Sequence, residues 1–146
     1  MPLLNYTTSI DALKTAGEIE YILIKHGASA IMKNCKDGHV ESLSFMIGTS
    51  IGEIPIKMPV NVEPVLRIMT QQKKKNSNVH ATYDQAERVA WRILKDWTEA
   101  QMAIIETDMV KIEQVFLPYI VSGSTGKTLF ESIEIDNFLL TDGGHE

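Results

Sequence analysis

The sequence predicts an α+β fold in which a small antiparallel sheet of three or four strands packs against helices. Apolar and polar residues alternate over short runs within residues 4 to 58, which is the pattern of half-buried strands. After residue 80, apolar residues recur at spacings of three and four, which is typical of an amphipathic helix. We therefore expect a single domain over residues 1–146. It is divided into a sheet half (1–72), a mobile loop (73–80) and a helical half (81–146).

The first elements are predicted to be a strand and a helix. Residues 5–14, "NYTTSIDALK", alternate between apolar and polar side chains and predict a strand. Thr15 and Glu18 stand at the spacing of a capping box, which predicts a helix that begins at Thr15. Gly27 is the expected end of that helix.

A hairpin and a third strand complete the predicted sheet. Asp37 and Gly38 are residues that adopt the positive φ angles of a tight turn, so they predict a hairpin between strands at 28–35 and 40–47. Residues 54–58 alternate again. Pro55 indicates that this third strand lies at an edge of the sheet, because proline cannot donate a ladder hydrogen bond.

Helices are predicted for the second half of the chain. Asn61 is the expected cap of a helix that precedes the loop at 73–80. Thr82 and Gln85 form a second capping-box pattern and open the longest predicted helix, about 25 residues that end near Thr107. A short helix over residues 111–116 is expected to follow.

The segment "GSTGKTLF" at 123–130 resembles the phosphate-binding loop of nucleotide hydrolases but does not match it. Gly126, Lys127 and Thr128 fit the motif, whereas Val121 occupies the position of its first glycine. Only 18 residues follow Thr128, too few for the crossover strand that would bring an acidic residue to the metal. We interpret the segment as a polar turn.

No catalytic or metal-binding constellation is predicted. Cys35 is the only cysteine, so no internal disulfide is possible. Cys35 and His39 bracket the predicted hairpin turn, but a structural zinc site needs four ligands and no second pair stands at a suitable spacing. We expect a protein that is not an enzyme and that has no metal and no cofactor.

Charge and hydropathy limit the expected partners and the expected location of the protein. The formal net charge of −5 argues against a general affinity for nucleic acid, which requires a concentrated basic face. The first residues lack the basic start and apolar run of a signal peptide, and no stretch reaches the roughly 18 apolar residues of a membrane span. A cytoplasmic location without membrane contact is expected.

The long helix carries an apolar seam that requires a partner surface. Its members stand at spacings of four and three. They are Ala86, Ala90, Ile93, Trp97, Ala100 and Ile104. One interpretation is packing against the protein's own core. The other is a homodimer, because a second apolar strip on the same helix exceeds what one neighbouring layer needs.

A basic stripe on the same helix is the candidate binding surface. Arg88, Arg92 and Lys95 lie beside Trp91, an arrangement that suits phosphates with a base stacked on the indole. Acidic residues lie within one turn of the stripe, however, which is typical of a solvated face held by ion pairs. They are Asp84, Asp96 and Glu99. The loop lysines Lys73, Lys74 and Lys75 allow the same two interpretations.

Five segments together carry a family resemblance. They are "KTAGEIEYILIKHGA", "LSFMI", "ERVAWRILKDWTEAQMAIIET", "FLPYI" and "GKTLFE", in this order. The chain resembles a group of small proteins encoded in bacteriophages, prophages and other mobile elements of bacteria. The resemblance implies a non-enzymatic accessory protein that binds a host protein or a defence component, as an anti-defence inhibitor does. Two alternatives stay open: a nucleic-acid-binding factor in phage replication or recombination, and an oligomer that binds a nucleotide or another small molecule.

Overall fold

The computed structural model describes residues 1–136 and has the α+β fold that the sequence predicts. The expected helical half extends beyond this limit, and residues 137–146 lie outside the described part. The strands are β1 (Ala28–Lys36), β2 (His39–Thr49) and β3 (Gly52–Lys57). The helices are α1 (Ala12–Lys25), α2 (Val62–Lys73), α3 (Tyr83–Glu106), α4 (Ile112–Phe116) and α5 (Leu129–Asp136). A 3₁₀ turn, Leu117–Tyr119, follows α4.

The strand predicted over residues 5–14 is wrong, because turns fill the start of this segment and α1 begins at Ala12. The Gln85 side-chain amide donates hydrogen bonds to the carbonyls of Tyr6 (3.1 Å) and Thr8 (2.8 Å). Helix α3 therefore satisfies backbone groups that a neighbouring strand would have paired. The predicted start of the helix at Thr15 is also wrong, since Thr15 lies fully buried within α1.

The predicted hairpin is confirmed. Asp37 and Gly38 have φ angles of 52° and 81°, and Lys36 pairs with His39 across the turn. The strand order is β1-β2-β3, so β3 is an edge strand, as its proline indicates. A single antiparallel bridge joins Ile56 of β3 to Ile120.

Helix α3 lies between two apolar clusters. On one side Trp91, Leu94 and Met102 pack with α1, with Phe116 and with the inward residues of the sheet. On the other side Ala86 and Val89 pack against α2. The two halves of the chain thus share one core, which is continuous through α3.

Capping hydrogen bonds mark the starts of α3 and α5. The hydroxyl of Thr82 accepts a hydrogen bond from the Gln85 backbone N–H (3.2 Å), as the capping pattern predicts. Thr128 and Glu131 form a reciprocal capping box at α5. The preceding segment, which resembles a phosphate loop, is a turn in which Gly126 N–H donates to the Ser122 carbonyl (2.9 Å). No helix within residues 1–136 is long and apolar enough to cross a membrane.

Candidate functional site: an acidic cavity at the His39–Glu87 pair

A cavity of about 460 Å³ lies where the starts of β2, α2 and α3 meet. This volume is within the range of small-ligand sites. Apolar wall residues are Val40, Val60, Val62 and Trp91. Polar and charged wall residues are Lys36, Asp37, His39, Glu41, Asn61, Glu63, Tyr83 and Glu87.

Glu87 is a buried carboxylate in the wall of this cavity. Only 10% of its side chain is exposed, because it precedes the fully buried Trp91 by four residues and shares its face of α3. Both carboxylate oxygens accept from Nδ1 of His39, at 3.1 and 3.0 Å. Burial of a carboxylate is costly unless it is paired, so this contact stabilises the site.

His39 reaches Glu87 because the hairpin turn makes it the first residue of β2. Its side chain is 48% exposed, in contrast to that of its partner. The hydrogen bond to Glu87 raises the pKa of His39 above the ordinary value of 6.5, and the charge of Glu87 adds to the effect. Asp84 and Asp37 contribute smaller effects in the same direction. The pair therefore favours the protonated form of the imidazole.

The wall of the cavity carries a net negative charge. Four carboxylates face one lysine, Lys36, across it, which leaves three negative charges when His39 is neutral. The pKa of Tyr83 is raised, first by burial and then by Glu87, Glu63 and Glu41. A cleft with walls of one charge sign concentrates ligands of the opposite sign, so this cavity favours a cationic group.

The pair has the elements of acid–base chemistry, but in the described part of the chain no serine, threonine or cysteine stands beside it in the cavity wall. A histidine that is oriented by a carboxylate is one half of a nucleophile-activating system. Within residues 1–136, no three His, Cys, Asp or Glu side chains are grouped so that they could hold a metal ion.

The basic residues of the predicted stripe bind neighbouring side chains of the same protein. Arg92 donates to Glu18 (2.8 Å), and Lys95 pairs with Glu99 (2.8 Å). Arg88 donates to the Gln85 side-chain oxygen (2.9 Å) and borders a second cavity, of about 200 Å³, next to the His39–Glu87 pair.

Trp91 lies in the core and is not part of the basic surface. Its side chain is completely buried, so neither face of the indole is free to stack on a base. The stacking role that the sequence suggests for Trp91 is therefore absent from this structure. The four candidate residues Arg88, Trp91, Arg92 and Lys95 do not form one exposed surface.

The predicted seam of α3 is divided between buried and open positions. Ala86 is fully buried in the cluster formed with α2, and Ala90 is 6% exposed. Trp97 makes edge-to-face contacts with Phe116 and Tyr119, at 5.7 and 5.9 Å between ring centroids. Ile93 is half-buried against the α2 cluster, Ala100 is exposed, and Ile104 is half-buried.

From the sequence, His39 is considered only as a zinc ligand with Cys35, and Glu87 is not considered. The pair is missed because 48 positions separate the two residues and no local motif joins them. One signal was present. Glu87 stands four residues before Trp91, so a carboxylate and a large apolar side chain share one face of the helix. A carboxylate in such a position requires a partner.

Comparison of the chain with protein-family models, with curated proteins and with solved structures finds no match.

Proposed function

We propose that the protein is a non-enzymatic binding protein that holds a cationic side chain of a protein partner in the cavity beside Glu87. The observation that carries this proposal is the buried Glu87 carboxylate in an acidic cavity, paired with a half-exposed histidine. The site offers a cavity of suitable size and a concentration of negative charge, which suits the recognition of a cation.

The carboxylate retains capacity for a ligand. An ionised carboxylate has about four acceptor positions. In Glu87, both oxygens contact the same nitrogen of His39. A guanidinium group donates through a planar fork that matches two carboxylate oxygens, so an arginine side chain is the best candidate for this cavity.

This proposal keeps the biological setting that the family resemblance implies. In that setting the partner is a host protein or a defence component in the bacterial cytoplasm. A basic segment of such a partner would meet an acidic cavity on a chain of net charge −5. The nucleic-acid alternative has less support, because Arg92 and Lys95 already pair with carboxylates.

The direct test uses N-acetyl-arginine methylamide and its neutral isostere, N-acetyl-citrulline methylamide, in NMR titrations. We expect the arginine probe to shift the His39 resonances and to bind at least tenfold more tightly than the citrulline probe, since only arginine carries a charge. Glu87→Gln should abolish this preference. Glu99→Gln is the matched control, because it removes a carboxylate of the same helix that pairs only with Lys95. Equal binding of both probes would refute the proposal.

The pH dependence of this binding has a defined sign. Protonated His39 competes with the cation for Glu87, and the neighbouring Asp84 and Asp37 also favour the protonated imidazole. The arginine probe should therefore bind more tightly at pH 8.5 than at pH 5.5. Tighter binding at pH 5.5 would show that His39 does not compete with the ligand.

The expected homodimer through α3 receives little support from the geometry. Ala86 and Ala90 are buried, and Ile93, Trp97 and Ile104 are half-buried, so Ala100 is the one exposed member of the seam. We expect light scattering at micromolar concentration to give the mass of one chain. A mass of two chains that Ile104→Glu reduces to one would restore the dimer.

A further inference from the structure

We infer that the acidic cavity is one half of a composite cleft, and that its occupant is an extended peptide segment with an arginine or lysine followed closely by a large apolar side chain. This inference rests on the proposed function and names the class of partner. The geometry that supports it is an apolar groove that shares two wall residues with the acidic cavity.

The groove runs beside α3 and has a volume of about 330 Å³. Its apolar wall includes Val65, Ala90, Ile93, Leu94 and Trp97. Three of these, Ala90, Ile93 and Trp97, belong to the seam that the sequence marks as requiring a partner surface. An exposed apolar groove next to a charged cavity is typical of peptide-recognition surfaces.

Val60 and Asn61 line both the groove and the acidic cavity. The two openings therefore lie on either side of this short segment between β3 and α2. Val60 and Asn61 are consecutive residues, so their Cα atoms are about 3.8 Å apart. An extended peptide advances about 3.3 Å per residue, so side chains two to four residues apart span about 7 to 13 Å. One short peptide can fill both openings.

Asn61 occupies the segment between the openings. It is the N-cap residue of α2, yet its side chain makes no capping hydrogen bond, and the residue is exposed. A carboxamide has both donors and an acceptor, so it matches the N–H and C=O groups of a peptide backbone. The amide is therefore positioned to bind the backbone of the segment between the two anchoring side chains.

The charges of the cleft determine which two side chains the peptide must carry. The wall of the cavity has four carboxylates and one lysine, whereas no charged residue within residues 1–136 lines the groove. A segment with one cationic and one apolar anchor complements both parts. A second copy of this chain is the competing occupant, and the test below distinguishes the two.

The experiment uses calorimetry with the full chain and capped peptides in which arginine and leucine are separated by one, two or three serines. At the best spacing, we expect at least about tenfold tighter binding than for the matched peptide with leucine replaced by serine. Val65→Asn should remove this advantage, and Ile68→Asn should not, because Ile68 is an exposed residue of α2 outside the groove. Asn61→Ala should weaken the two-anchor peptide severalfold, and by a larger factor than it weakens the single arginine probe.

The outcomes separate this inference from the proposed function. If the arginine probe binds but leucine gives no advantage at any spacing, the composite cleft is refuted and the cationic site stands. If Glu87→Gln binds the peptides with both arginine and leucine as tightly as the wild-type protein does, the groove acts alone and the inference fails. If the protein is a dimer that Val65→Asn dissociates, the occupant is a second copy. If the arginine probe does not bind, both proposals fall.

Discussion

At the scale of single residues, the His39–Glu87 pair makes stability depend on pH. Because the folded state raises the pKa of His39, the stabilisation is fully present below pH 6.5 and is lost as the pH rises through the higher folded value. Wild type should therefore exceed Glu87→Gln in free energy of unfolding by more at pH 5.5 than at pH 8.5. Denaturant unfolding at both values measures this. An equal difference at the two pH values would show that the pair does not titrate.

A second residue-scale prediction concerns the link between α1 and α3. Arg92 has a 14% exposed side chain and donates to Glu18 and to the hydroxyl of Thr15. Glu18→Gln should lower the free energy of unfolding by about 1 kcal/mol, because it weakens a partly buried, charge-assisted hydrogen bond. The isosteric change Glu99→Gln, at a 57% exposed partner of Lys95, should cost less than about 0.5 kcal/mol. Equal losses would show that burial does not strengthen the Arg92 contact.

The sequence pattern predicts that the basic residues of α3 form ion pairs, but it does not identify all of their partners. The acidic neighbours of the basic stripe indicate ion pairing, and Lys95 does pair with Glu99 within the helix. Arg92 instead pairs with Glu18, which is 74 positions away. Glu87 and His39 likewise meet only through the packing of β2 against α3. Contacts of this kind depend on tertiary structure, and no periodicity within one segment predicts them.

At the scale of elements, the cap of α3 has a measurable effect. Thr82→Ala removes the hydroxyl that accepts from Gln85, so it should lower the free energy of unfolding by about 1 kcal/mol. Asn61→Ala at the start of α2 is the comparison, since that side chain makes no capping hydrogen bond. We expect thermal unfolding to separate the two variants clearly. A loss for Asn61→Ala as large as that for Thr82→Ala would contradict this assignment.

Local chemistry predicts some elements correctly and misleads at one. Asp37 and Gly38 specify their turn through positive φ angles, and Thr82 marks the start of α3 within one residue. Thr15 and Glu18 stand at capping-box spacing, yet α1 begins after Asp11, within the segment 5–14 whose alternation predicts a strand. Gln85, on a distant helix, binds the backbone of that segment and overrides the pattern.

At the scale of the whole molecule, the two halves of the chain depend on each other. The sheet and α1 bury their apolar faces against Trp91, Leu94 and Met102 of α3. A fragment of residues 1–72 would expose this surface to water and should not fold alone. We expect an unfolded far-UV circular dichroism spectrum and poorly dispersed NMR resonances. A dispersed spectrum with a cooperative melt would show that the sheet half is an independent unit.

The exposed position of Cys35 on β1 has a practical consequence. It is the only thiol in the chain, and it stands directly before Lys36 and Asp37, which belong to the wall of the acidic cavity. A small environment-sensitive fluorophore coupled to this sulfur would sit about one residue spacing from the wall, roughly 4 Å along the backbone. The natural sequence therefore allows site-specific labelling without mutagenesis, and the emission of the dye would report when a ligand enters.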